Sequence, residues 1–158
     1  MIPEEARQFI GKTAVPIVRE VERGAIRRYA DAVGNNNPLY CDEEYAAGSR
    51  YGDIIAPPGF FGWPIKPAKS TTGLPEIVGD LQEALARGGF PRILDGGISY
   101  EFFLTVRADD MLIASVKVSN ITEKEGKSGA MMVCRLETTF LNQNGDEVAR
   151  AYQTFIAR

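Results

Sequence analysis

None of the 158 residues is histidine, and only two, Cys41 and Cys134, are cysteine. Without histidine there is no Ser/His or Cys/His nucleophile set. Nor is there a Cys/His spacing that would hold zinc, so neither a metal nor another cofactor is expected. Two cysteines are too few for a disulfide framework, and Cys134, inside an apolar strand-like run, reads as a buried free thiol. No stretch approaches the roughly eighteen apolar residues of a membrane span. The opening Met1-Ile2-Pro3-Glu4-Glu5 is acidic where a signal peptide needs a basic start, so a cytoplasmic location with no membrane partner is the expectation. Lys and Arg number 18 against 21 Asp and Glu, and the resulting net charge of −3 lacks the basic excess of a nucleic-acid binder.

What remains is the composition of one ordinary globular domain over residues 1–158, long enough for a single core. Val15 to Val21 is short and β-branched, a first strand with Pro16 at its edge. Ile26, Tyr29, Ala30 and Val33 fall on one helical face, with Gly34 placed to end the helix. Asn35-Asn36-Asn37-Pro38 reads as a turn, because the residue before proline avoids helical geometry. Asp42 reads as the N-cap of a short helix. A proline- and glycine-rich stretch over 52–75 embeds Phe60, Phe61 and Trp63. A second helix runs from Ile77 to Leu85 and stops at Gly88-Gly89.

From Gly97 the period becomes two. Ile98, Tyr100, Phe102 and Leu104 form one row; Leu112, Ala114, Val116 and Val118 form the next. Met132, Cys134, Leu136, Thr138 and Phe140 make a third, and Val148 to Ile156 a fourth strand. Glu125-Gly126 and Asn144-Gly145 mark the turns between them. Helices followed by an antiparallel meander mean an α+β layer fold.

Gly34-Asn35-Asn36-Asn37-Pro38-Leu39-Tyr40, followed by Ile54-Ile55-Ala56, resembles the signature of the MaoC-like (R)-specific enoyl-thioester hydratases and dehydratases. Leu94 to Phe102 and Asn144 to Ala151 resemble the N-terminal-type, degenerate domain of that family, so the likeness spans nearly the whole chain. It implies a hotdog fold, an antiparallel sheet wrapped around a central helix. In the family an Asp and a His form the catalytic dyad. Their positions here are Asn35 and Tyr40. Asn cannot titrate, and a tyrosine phenol ordinarily ionises only near pH ~10, so no catalytic residue is expected. The family's thioester-oxygen donor falls on Pro58, which has no N–H, or on Gly59 after a one-residue shift.

Three readings follow. The resemblance implies a non-catalytic subunit that binds an acyl-CoA or acyl-carrier-protein thioester and pairs with a catalytic hotdog chain. The second is an active homodimer using Tyr40 with Asp31 or Asp53. The third is an acyl-CoA-binding protein without chemistry. Pro58, Gly59, Phe60, Phe61 and Trp63 are the candidate substrate-binding residues, although aromatics in such a loop also serve as core plugs. Lys66 and Lys69 are candidates for the coenzyme A phosphates or are simply solvated. Asp31 reads as solvated, Asp53 as a turn residue, and Asp109-Asp110 as a turn without chemistry.

Overall fold

The structure, a computed structural model, describes residues 1–65, 75–126 and 129–158; Lys66 and Lys69 lie outside them. The helices are α1 (Glu4–Arg7), α2 (Arg23–Ala32), α3 (Glu43–Ala47) and α4 (Glu76–Arg87). The strands are β1 (Ile17–Glu20), β2 (Trp63–Pro64), β3 (Ile93–Phe102), β4 (Met111–Gly126), β5 (Gly129–Leu141) and β6 (Glu147–Ala157). They form one sheet in the order β2-β1-β4-β5-β6-β3, antiparallel at every pairing.

Local chemistry accounts for the element ends. Gly34, just beyond α2, has φ +69°, a left-handed value that glycine adopts without steric cost. Asp42 accepts the Tyr45 N–H at 2.9 Å and so caps α3, as its sequence position implies. α4 begins after Pro75 and ends at Gly88. In β4 the register shifts between Val118 and Asn120. That bulge reverses the alternation, so Leu112 to Val118 face inward at even numbers and Ile121 at an odd one. Ser119, in the bulge, donates its hydroxyl to the Arg135 carbonyl at 3.0 Å.

Two helices cover separate parts of the apolar face of the sheet. Ala25, Ile26 and Ala30 of α2 pack with Leu112, Ala114 and Phe140. Val78, Leu81, Ala84 and Leu85 of α4 pack with Val116, Val118, Met132, Cys134 and Leu136. Each fully buried aliphatic side chain contributes roughly 1.5–3 kcal/mol. Burial pushes the Cys134 thiol pKa up to about 12, as befits a structural thiol.

The row that begins at Ile98 is covered unevenly. Tyr100 is partly covered, whereas Ile98, Phe102 and Leu104 are about half exposed. The reason is position: β3 is an edge strand, with a neighbour on one side only. The first strand is also shorter than Val15–Val21, since only Ile17–Glu20 pairs with β4.

Candidate functional site

A cavity of about 390 Å³ opens between the segment after α2 and the end of β3. One wall comes from the turn after α2. Asn35 Oδ1 accepts the Asn37 N–H at 3.2 Å, and Asn37 Oδ1 accepts the Leu39 N–H at 3.1 Å. The two amides thereby shape a 3₁₀ turn over Pro38–Tyr40. That turn sets Asn37, Leu39 and Tyr40 on the cavity wall, while Asn35 is not part of it. Tyr40 is only 8% exposed, and its hydroxyl has no hydrogen-bond partner among the described residues.

The floor is the segment Ile55 to Phe61. Ile55 N–H donates to Leu39 O at 3.2 Å, and Ala56 N–H to Val106 O at 2.8 Å, so this segment is stitched to both walls. Pro57 to Phe60 is a tight turn closed by Phe60 N–H on Pro57 O at 3.0 Å. Gly59 has φ +91°, the value required at the third position of a type II turn. Pro58 has no N–H to give, and the Gly59 N–H meets no acceptor among the described residues. Phe102 to Val106, running off the β3 edge, form the opposite wall.

Phe60 and Phe61 are both core and cavity lining. Phe61 stacks on Phe140 at 4.1 Å between centroids and lies 5.7 Å from Tyr100. Burial raises the Tyr100 pKa above the ordinary phenol value, with its neighbour Tyr29 a lesser electrostatic cause. Trp63 is placed differently from the other loop aromatics. It sits in β2, 57% exposed, edge-on to Phe60 at 5.9 Å and outside the cavity walls.

The loop carrying these rings is held by Arg19. Its Nε donates to Phe61 O at 3.0 Å and its Nη2 to Gly62 O at 2.7 Å. Burial lowers the Arg19 pKa, and among the described residues no carboxylate pairs with it. Gly62 has φ +69°, and a Cβ there would lie 2.3 Å from Glu20 O, so only glycine fits this close approach to β1.

The carboxylates named from sequence stand outside the cavity. Asp31 is exposed on α2. Asp53 does more than occupy a turn: Arg23 holds it in a two-pronged pair at 2.7 and 3.0 Å and also reaches Asp109 at 3.0 Å. Those contacts hold the Asp53 carboxyl below the usual carboxylate range and raise Arg23. Asp109 adopts φ +67°, a left-handed turn conformation that aspartate tolerates. Sequence reasoning missed Arg19, Arg23, Tyr51 and the Phe102–Val106 wall. Of these, only Phe102 and Leu104 stood out in the sequence, and they read as part of a strand row. Among the described residues no group of His, Cys, Asp or Glu could hold a metal ion. No described helix is long and apolar enough to cross a membrane.

Residues 8–151 match the family model described as FAS1-like, dehydratase domain region. The chain belongs to this dehydratase family. A UPF0336 protein of Streptomyces avermitilis is 30% identical over 96% of this chain and 94% of its own length. A probable enoyl-CoA hydratase alpha subunit of Thermomonospora curvata is 26% identical over 78% of this chain but only 40% of its own length. Among solved structures, the ChsH1–ChsH2 complex from Mycobacterium tuberculosis superimposes with a TM-score of 0.82 at 16% identity, covering 97% of this chain and 93% of that one. The shared architecture is the hotdog fold of the MaoC-like dehydratases, as the motif at Asn35–Tyr40 implied.

Proposed function

We propose that this chain is the non-catalytic, substrate-binding subunit of an acyl-thioester hydratase or dehydratase, completed by a second hotdog chain that carries the acid–base dyad. One observation carries the reading. The cavity wall presents Tyr40 where the family has its histidine, the Asn35 side chain is spent on the turn, and among the described residues no carboxylate lines the cavity. Hydration of an enoyl thioester needs a group to activate water and another to handle the α-proton, and these walls supply no such pair.

The cavity suits binding. Pro58, Gly59, Phe60 and Phe61 face an apolar acyl group, and the unpaired Gly59 N–H is the donor for the thioester oxygen. Trp63 flanks this set through its contact with Phe60. The half-exposed β3 edge adjoins the cavity at Phe102 and is the surface for the partner. A two-protein complex of the same fold and a relative named as an alpha subunit support the paired arrangement.

The test is an enoyl-thioester hydration assay on the isolated chain, with crotonyl-CoA and longer homologues. No turnover is expected until a dyad-bearing hotdog chain is added. Turnover of order 1 s⁻¹ by the chain alone, abolished by Tyr40→Phe, would overturn this reading in favour of an active enzyme using Tyr40.

A further inference from the structure

Tyr51 lines the cavity, and two arginines are built onto it. Arg50 donates Nη2 to the Tyr51 hydroxyl at 2.5 Å, with its guanidinium 4.7 Å above the centroid of the same ring. Arg107, on the approach to β4, donates Nη1 to the Tyr51 carbonyl. Both side chains are exposed, and among the described residues neither joins an ion pair. The carboxylates beside them make their hydrogen bonds elsewhere, although the Arg107 charge also acts on Asp53. Asp53 is held by Arg23, and Asp110 accepts the Arg107 backbone N–H and the Gln143 amide.

A guanidinium has five N–H donors in a planar fork that matches phosphate oxygens two at a time. Each of these arginines spends one side-chain donor on Tyr51 and keeps the rest. Solvated surface arginines ordinarily gain little from being fixed, because holding a long side chain costs rotamer entropy. Here both are fixed on a single residue that is itself cavity wall, in a chain of net charge −3.

We infer that Arg50 and Arg107 form an anion site at the mouth of the cavity, one that takes the phosphate of an acyl carrier. That chemistry is shared by coenzyme A and by the phosphopantetheine arm of a carrier protein. The inference rests on the acyl-thioester reading above and adds the anchoring of the carrier. Phosphate binding here is charge-assisted and exposed, so it weakens as salt is raised.

The test compares crotonyl-pantetheine, crotonyl-4′-phosphopantetheine and crotonyl-CoA by calorimetric titration of the protein in the assembly it adopts in solution, with inorganic pyrophosphate as a separate probe. Wild type is expected to bind the phosphorylated thioesters about tenfold more tightly than crotonyl-pantetheine, and R50Q/R107Q to lose that gain while keeping crotonyl-pantetheine affinity. A gain that begins with phosphopantetheine identifies the shared phosphate; one confined to crotonyl-CoA identifies the nucleotide phosphates. Equal binding of all three thioesters overturns the anion site and leaves the acyl-thioester reading standing. Arginine-dependent pyrophosphate binding with no thioester binding does the reverse, and binding of none of the four probes overturns both.

Discussion

The pair between Arg23 and Asp53 ties the first turn of α2 to the strand-like segment that floors the cavity, since Ala108 N–H donates to Ile54 O at 3.0 Å just beyond it. The Asp53 carboxyl sits below its unfolded value chiefly through the Arg23 hydrogen bonds, with the Ile54 N–H assisting and burial opposing. A depressed folded pKa stabilises the native state fully above the unfolded value of about 3.9, and the contribution is lost as pH falls through the folded value. Asp53→Asn is therefore expected to lower stability near pH 7, and the gap from wild type is expected to close on acidification below about pH 4. Urea midpoints measured across that range check it. The side chain is 40% exposed, so solvent screening keeps the effect within about 1 kcal/mol. A gap that widens with acid would contradict the assignment.

At the scale of elements, β3 stands apart. It is ten residues long, lies at the sheet edge and leaves Ile98 half exposed. Natural proteins blunt or cover such edges, because unpaired backbone groups invite another strand. Ile98→Lys is expected to abolish association while leaving thermal stability of the monomer within about 0.5 kcal/mol of wild type, as for other exposed positions. Light scattering and thermal unfolding report the two quantities separately; unchanged association would remove β3 from the interface. Most elements were legible in the sequence. The β4 and β5 rows showed their alternation, and α4 showed its 3.6-residue period and terminal glycines. The start of β3 was not, because the bulge between Asp95 and Gly97 breaks the alternation. β2, two residues long, carries no pattern at all. Of the site, the turn at Asn35–Tyr40 and the Pro57–Phe61 floor could be read locally. The Phe102–Val106 wall could not, because its meeting with Ala56 depends on the closing of the whole sheet.

At the scale of the molecule, the core divides into a half under α2 and a half under α4, and β4 and β5 run through both. Leu112 and Phe140 belong to one half, Val118 and Leu136 to the other, on the same two strands. Ile26→Ala and Leu81→Ala, each removing a fully buried side chain from one half, should each cost about 2–5 kcal/mol. Both are expected to shift one common unfolding transition in urea, seen alike by fluorescence and circular dichroism. Two separated transitions would show that the halves melt independently. The strand order also sets a sequence of assembly. β4, β5 and β6 join through neighbouring hairpins, whereas Glu20 must find Met111 from most of the chain away. Distant contacts of that kind carry the larger loop-closure cost and tend to form late. The cavity is bounded by residues near Ala56 on one side and Val106 on the other, so it belongs to the late-forming side. Its walls are correspondingly expected to part first in native fluctuations, with the amides of Ile55 and Ala56 exchanging with solvent before those of the β4–β5 ladder.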